Sequence, residues 1–307
     1  MNRIRLISLI VLVMACASHA QQKIQITKQL APGKYMLVQQ MEMVTTTTTS
    51  AAADPITQPV TMLMEMHMDV QKPDETGNYK MICRFTRIKQ DVANLLHYDS
   101  AAPAQENEGN PLAIMGSMLN MDLEITMSKE GKVLDVTGMD KIWDKMGQNP
   151  ALKPMMDQFK SSMGDGMVKN LFTQSDMVLP TGEVAVGDTW EVAETITVPI
   201  VGELAAKFNC KLASFDPASN LAVIDHEGTM ASMEAQSQPM IMGAPVRLGK
   251  MNMVQKGTTK VDIHTGLSTT ALEQEMDMET FVDTGGGEQR ADIRQKSTIS
   301  MTISARN

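Results

Sequence analysis

Soft metal ligands are concentrated in one short segment of the sequence, where Met62, Met64, Met66 and Met68 surround His67. Thioethers and an imidazole are donors that Cu(I) prefers, so this segment supports a copper hypothesis. In a β-strand, however, alternate side chains point to opposite faces, which puts the four thioethers on one face and His67 on the other. One flat strand cannot close a shared coordination shell from both faces. Cu(I) binding therefore stays an alternative, and we assign no metal ligand.

Acid-base chemistry has one candidate cluster, Asp225-His226-Glu227. Strand alternation would separate His226 from its two acidic neighbours, so the three side chains would not converge on a substrate. The sequence also lacks a nucleophile elbow, a zinc-protease motif, a phosphate loop and a dinucleotide fingerprint. We therefore expect no enzymatic activity and no cofactor.

Methionine is the main apolar residue of the chain, with 30 copies in 307 residues. Several stand two apart, as in a strand with one apolar face: Met41 and Met43, Met240 and Met242, Met251 and Met253, Met276 and Met278. An unbranched, polarizable side chain adapts to different apolar guests, so a Met-lined sheet suits an apolar ligand, although it also suits an ordinary packed core. The candidate lining residues are Met62, Met64, Met66, Met68, Met276, Met278, Trp143 and Phe159.

Alternating apolar and polar residues predict antiparallel strands in two halves of the chain, each strand bounded by turn residues. Two stretches rich in small and polar residues, 46–59 and 99–111, are interpreted as exposed loops. The predicted strands cover residues 35–45, 60–71, 79–89, 121–128, 132–137, 189–198, 203–215, 221–230, 248–264, 267–282 and 289–304.

Between the two halves the apolar period changes to that of a helix, as in Met139, Ile142, Trp143 and Met146. Two further helical patterns follow at residues 152–163 and 167–172. We predict a mainly β fold with a helical insert (α+β): a large curved antiparallel sheet or half-barrel, with three short helices at about 139–173 packed across it. The chain is interpreted as one domain, with β halves at 23–137 and 176–305.

The N-terminus has the pattern of an export signal, with Arg3 and Arg5 before an apolar run too short to span a bilayer. Cleavage after Ala20 is favoured; the alternative is a lipobox that would leave a lipidated Cys16. Removing residues 1–20 takes away two arginines and no acid, which changes the formal net charge from −9 to −11. We expect a periplasmic or cell-envelope protein that does not bind nucleic acid and has no membrane span after the signal.

Two cysteines remain beyond the signal, Cys83 and Cys210. Both stand among alternating apolar residues, so each suits a small buried hydrophobe. In an oxidising compartment they could also form one disulfide, and the sequence leaves both alternatives open.

Several turn and strand motifs carry a resemblance to known proteins: GKVLDVTG at 131–138, LP at 179–180, VGDTW at 186–190 and VDIHTGL at 261–267. With these motifs the chain resembles an uncharacterised family of exported bacterial proteins of unknown function. The resemblance implies export and the order of β half, helices and β half, and it carries no catalytic residue. The order of elements also looks like the half-barrel with a helical lid of lipoprotein carriers, which is a likeness of architecture only.

Our leading hypothesis is a non-catalytic envelope protein that binds an acyl chain or another lipid-like apolar group in a Met-lined concave sheet. The second hypothesis is an envelope interaction protein with a fully packed core, which would contact a protein partner through residues 46–59, 99–111 and 235–245. Copper binding is the third.

Overall fold

The structure is a computed structural model that describes residues 22–27, 29–49, 54–93, 95–103, 110–129, 131–147, 178–198, 202–232, 240–241, 244–283 and 287–306. These residues contain thirteen strands, one α-helix and one 3-10 helix. The elements are β1 (Gly33–Thr49), β2 (Ile56–Val70), β3 (Tyr79–Val92), β4 (Leu96–Asp99), the 3-10 helix (Pro111–Met118), β5 (Asp122–Met127), β6 (Val133–Thr137), α1 (Met139–Gly147), β7 (Thr189–Val198), β8 (Gly202–Asp216), β9 (Leu221–Ser232), β10 (Met240–Ile241), β11 (Ala244–Asp262), β12 (Ser268–Asp283) and β13 (Glu288–Ala305).

All named strands belong to one antiparallel sheet in the order β6-β5-β3-β2-β1-β13-β12-β11-β9-β8-β7, with β4 beside β3 and β10 beside β11. The first strand pairs with the last along fifteen residue positions, and this ladder joins the two halves of the chain. β6 and β7 stand at opposite ends of the order, so the described part of the sheet is open. The prediction of a mainly β protein with a large antiparallel sheet is confirmed.

The register separates the residues into two faces, because directly opposed residues in an antiparallel ladder project to the same side. Met41 lies opposite Met62, Met253 opposite Met276 and Met251 opposite Met278. These methionines and their alternate neighbours form what we call the apolar face. The other side, the charged face, carries cross-strand ion pairs such as Arg294 with Asp277 at 2.8 Å and Lys296 with Glu275 at 2.7 Å.

The apolar face of the N-terminal half is covered by α1 and the 3-10 helix. Met139, Ile142 and Met146 of α1 are buried in a cluster with residues of β1, β2, β3, β5 and β6, which we call the first cluster. Asp140 in the first turn and Lys145 in the last turn also suit the helix dipole. The chain enters α1 through Gly138 at φ +99°, where a Cβ would lie 2.4 Å from the carbonyl oxygen of Asp122. Only glycine fits this entry.

The apolar face of the C-terminal half is covered by two irregular segments. Ile24 bridges Val184 through two backbone hydrogen bonds of 2.8 and 3.0 Å, which holds residues 22–27 beside residues 178–186. Ile24, Ile26, Val178 and Leu179 are buried in a second cluster with residues of β7, β8, β9 and β11. This covering was not predicted.

The helical insert was predicted as three helices, and the described residues contain one of them, α1. The predicted helices at 152–163 and 167–172 lie outside the described residues. The predicted signal sequence at residues 1–20 also lies outside them.

The loop prediction at residues 46–59 is wrong at both ends. β1 continues to Thr49 and β2 begins at Ile56, because threonine and isoleucine favour extended backbone; residues 50–53 lie outside the described part. The predicted loop at 99–111 begins at the end of β4 and ends at the start of the 3-10 helix, with residues 104–109 outside the description. The predicted contact segment at 235–245 contains β10, which pairs with the start of β11.

Candidate functional site

One row of four apolar side chains crosses the centre of the sheet. Met62 on β2 lies opposite Met41 on β1, Met41 lies opposite Ile299 on β13, and Ile299 lies opposite Leu272 on β12. The four residues therefore stand side by side on four neighbouring strands of the apolar face. We call them the central row, and each of them is partly exposed.

Exposure changes sharply along the same strand. On β2, Met66 and Met68 are 1% exposed and belong to the first cluster, whereas Met62 and Met64 are partly exposed. On the other side of the row, Met253, Met276 and Met278 are partly exposed and pack against the second cluster. The central row thus occupies the strands between two packed cores, where its apolar side chains retain contact with the surroundings.

Hydrogen-bonding side chains flank the central row on the same face. Gln274 Nε2 donates to Gln255 Oε1 at 2.8 Å, and Ser297 Oγ donates to Gln274 Oε1 at 3.3 Å. On the other flank, the hydroxyls of Thr259 and Thr270 are 3.1 Å apart. Buried polar groups are tolerated when they satisfy one another, and these do so across neighbouring strands.

Two buried polar atoms of the described residues have no hydrogen-bond partner, Gln39 Oε1 and His226 Nδ1. Gln39 stands two residues before Met41 on β1, so it lies on the apolar face beside the central row. Its free carbonyl oxygen can accept a hydrogen bond from a molecule placed against that row.

His226 continues the line of the central row beyond Gly257, which separates it from Leu272. The side chain is 3% exposed, and its Nε2 is 3.3 Å from the hydroxyl of Thr259. Burial lowers the pKa of His226, while the negative charge of Asp225 acts in the opposite direction. The imidazole is thus held uncharged at neutral pH.

The three residues of the Asp225-His226-Glu227 cluster alternate between the faces, as the strand pattern predicts. Asp225 and Glu227 are exposed on the charged face, where Asp225 accepts a 2.9 Å hydrogen bond from the hydroxyl of Thr258. They cannot act together with His226 at one point on the apolar face. The predicted separation of His67 from the neighbouring methionines is also present, because His67 lies opposite Met36 on the charged face.

The predicted lining residues divide into three groups. Met62, Met64, Met276 and Met278 are partly exposed on the apolar face. Met66 and Met68 are also on that face, but they are packed inside the first cluster, so we no longer count them as lining residues. Trp143 lies on α1, is partly exposed and packs against the first cluster rather than beside the central row. Phe159 and the candidate lipid-attachment residue Cys16 lie outside the described residues.

Cys83 and Cys210 are both free. Cys83 is buried in the first cluster and Cys210 in the second, on strands seven positions apart in the sheet order. Burial raises the pKa of both thiols, that of Cys210 to about 11. The structure therefore shows two small buried hydrophobes, which is one of the two alternatives left open by the sequence.

The apolar alternation places Leu272 and Ile299 on the interior face, but sequence reasoning missed the pairing of Ile299 with Met41 and the unpaired acceptor of Gln39. Met41 was noticed for its spacing, but β1 and β13 are at opposite ends of the chain. No local pattern fixes the register between strands so far apart.

A cleft of about 920 Å³ lies across β7, β8, β9, β11, β12 and β13, and its lining includes His226 and Leu272 as well as residues of the charged face. Its charged lining includes Asp225, Glu227 and Glu273 as well as Lys211 and Lys256. In the described ranges, no three His, Cys, Asp or Glu residues are grouped so that they could hold a metal ion. None of the helices in the described ranges could cross a membrane.

Comparison with known proteins gives a family but no activity. The model of the family of unknown function DUF6263 matches residues 76–268. No curated protein matches the chain.

Similarity to solved structures is weak. A structure of lipovitellin, described by its lipid-protein interactions, has a TM-score of 0.45 at 12% identity. The match covers 91% of this chain and 26% of the lipovitellin chain. A mutant Rh. blastica porin has a TM-score of 0.22 at 11% identity, with coverage of 86% of this chain and 99% of the porin. The chain thus spans about a quarter of the lipovitellin chain, and similarities at this level assign no ligand to it.

Proposed function

The chain belongs to the DUF6263 family, whose function is unknown, and from the geometry of its sheet we propose that it is a non-catalytic binding protein for an apolar molecule. The ligand is an acyl chain or a lipid-like group that lies along the central row. The observation that carries this proposal is the partial exposure of Met41, Met62, Leu272 and Ile299 between two buried clusters.

The physical reason is that apolar surface left in contact with water is a source of binding energy. Burying such surface stabilises a complex by roughly 25 cal/mol per Å². Two of the four side chains are methionines, which change rotamer readily and fit guests of different shape. The flanking amide and hydroxyl groups of Gln39, Gln274 and Ser297 supply hydrogen-bonding positions for a polar group on the ligand.

The location in the cell is part of the proposal. The basic residues and the apolar run at the N-terminus support export to the periplasm or cell envelope. An envelope protein would meet acyl chains released from membranes. This setting fits an apolar ligand better than a phosphorylated metabolite.

Binding of a neutral apolar dye, N-phenyl-1-naphthylamine, tests the proposal. We expect its fluorescence to rise with the wild-type protein and the dissociation constant to increase about tenfold in the double variant Met41→Gln/Met62→Gln. Glutamine keeps the approximate length of methionine but removes apolar contact, at about 1 kcal/mol or less per side chain.

The matched control is Met36→Gln/Leu63→Gln, which changes the same two strands on the charged face. This control should bind the dye like the wild type. The proposal is wrong if the wild-type protein does not bind the dye, or if both double variants lose the same affinity while their melting temperatures stay equal.

A further inference from the structure

Residues 22–27 run beside the second cluster as an extended segment. Ile24 and Ile26 are buried, whereas Lys23, before Ile24, and Gln25, between the two isoleucines, are exposed. Backbone hydrogen bonds from Ile24 to Val184 and from Thr27 to Ile263 hold the segment in place. This alternation buries the isoleucines and leaves the polar side chains on the outer side.

Turns from both halves of the sheet meet this segment. Gln29 Nε2 donates to the carbonyl oxygen of Lys129, in the turn between β5 and β6, at 2.5 Å. The turn between β11 and β12 lies on the other side, where the backbone N–H of Ala31 donates to Thr265. Together with the turn between β8 and β9, these segments enclose a cleft of about 1000 Å³, which we call the N-terminal cleft.

The charge of the N-terminal cleft is opposite to that of the chain. Its described lining includes Lys23, Lys129 and Lys132 and no aspartate or glutamate, although the chain carries a formal net charge of −9. All three lysines are exposed. A local excess of positive charge on an acidic protein attracts anions.

Two carboxylates of the adjoining turns are already engaged. Asp262 Oδ1 accepts hydrogen bonds from the backbone N–H groups of His264 and Thr265 at 2.9 and 2.8 Å. Asp216 accepts from the backbone of Ala218 and from the hydroxyl of Ser219. Both carboxylates are thus oriented toward their own turns.

Buried apolar residues also line the N-terminal cleft. Ile24, Ile26, Pro180 and Ile263 are buried, and Phe215 is partly exposed. The lining therefore combines apolar residues, of which Phe215 is partly exposed, with exposed lysines. This combination suits a molecule with one anionic group and one apolar chain, and it suits a bare inorganic anion less well.

We propose that the N-terminal cleft binds a carboxylate or phosphate group attached to an apolar chain. The site is distinct from the central row, because none of its described lining residues belongs to that row. The inference therefore stands or fails independently of the proposed function.

Isothermal titration calorimetry of the full chain tests this proposal with four probes. Decanoate and decyl phosphate carry the anion and the chain, decyl maltoside carries the chain alone, and inorganic phosphate carries the anion alone. We expect the two anionic amphiphiles to bind at least about tenfold more tightly than the other two probes. The double variant Lys23→Gln/Lys132→Gln should lose about tenfold in affinity for both anionic amphiphiles.

The control Lys72→Gln/Lys260→Gln removes the same charge from exposed positions outside the N-terminal cleft and should bind like the wild type. Equal loss in both double variants would overturn the proposal, because the effect would then come from net charge. Equal affinity for decyl maltoside and decyl phosphate would show that the anionic group does not contribute to binding and would overturn the proposal. Equal affinity for inorganic phosphate and decyl phosphate would show the same of the apolar chain and would also overturn it. Dye binding at the central row should be unchanged in both double variants, which separates this site from the proposed function.

Discussion

Gly257 lies between Leu272 and His226 on the apolar face, and its missing side chain allows both neighbours to close over the strand. A Cβ at this position would be 2.5 Å from the carbonyl oxygen of Ala271, 2.6 Å from Leu272 Cδ2 and 2.8 Å from His226 Cε1. The first of these atoms belongs to the backbone, so it cannot move without shifting a strand. Close approach of this kind is a common reason for glycine inside a sheet.

Gly257→Ala should therefore destabilise the protein by about 1–3 kcal/mol, the usual cost of overpacking. Gly182→Ala is the matched control, because no atom lies within 4 Å of a Cβ built there. Urea denaturation of both variants measures the difference. If Gly257→Ala were as stable as Gly182→Ala, the strands would not be packed as closely as the structure shows.

His226 is the buried titratable group of the same line of residues. Its neighbours on the face are Cys210, directly opposite on β8, and Thr259, whose hydroxyl contacts Nε2. The charge of Asp225 on the other face raises the pKa but does not overcome burial, which lowers it below the ordinary value of 6.5. The folded protein therefore binds a proton at His226 less readily than the unfolded chain does.

The stabilising contribution of neutral His226 is thus complete above about pH 6.5 and decreases as the pH falls toward the lowered pKa. His226→Gln removes this dependence. We expect the free energy of unfolding of the wild type to fall more between pH 7.5 and pH 5.0 than that of the variant, as measured in urea at several pH values. His67, whose pKa is also lowered, is present in both proteins and cancels from the difference. Parallel pH curves would show that His226 does not titrate differently on folding.

At the scale of elements, the strands were predictable, and the pairing of strands distant in the chain was not. Val60 to Val70 alternates so regularly that β2 and its two faces follow from the sequence. The pairing of β1 with β13 does not, because it joins residues 242 to 270 positions apart through side chains that many other strands could match. Residues 22–27 alternate like a strand and residues 178–186 have no regular period, and neither pattern indicates that the two segments cover the second cluster.

α1 was predictable because Met139, Ile142 and Met146 repeat at helical spacing, and all three are buried. Ile142 is 1% exposed in the first cluster. Ile142→Ala should therefore cost about 2–4 kcal/mol through lost contacts and a residual cavity. The exposed neighbour Lys141→Ala should change stability by about 0.5 kcal/mol or less, which makes it the control for helix propensity.

Urea denaturation followed by circular dichroism measures both variants of α1. A loss below about 1 kcal/mol for Ile142→Ala would mean that α1 is not packed in the first cluster. The prediction of helices packed across the sheet would then fail for α1, the one α-helix in the described residues.

For the whole molecule, the main consequence of the topology is that two cores share one face of one sheet. The first cluster is covered by α1 and the second by irregular segments, and β1, β13 and β12 join them. The sequence supports the idea of one apolar and one charged face, but not the division of the apolar face into two buried ends and a partly exposed centre. That division depends on tertiary covering, which no single strand encodes.

Photo-crosslinking with a neutral, diazirine-bearing alkyl probe, followed by peptide mass spectrometry, tests the central claim most directly. The account predicts adducts in peptides that contain Met41, Met62, Leu272 or Ile299, and their loss when an excess of the unlabelled alkyl compound is added. Adducts confined to the charged face or to the N-terminal cleft, or labelling no stronger than in urea-unfolded protein, would contradict it.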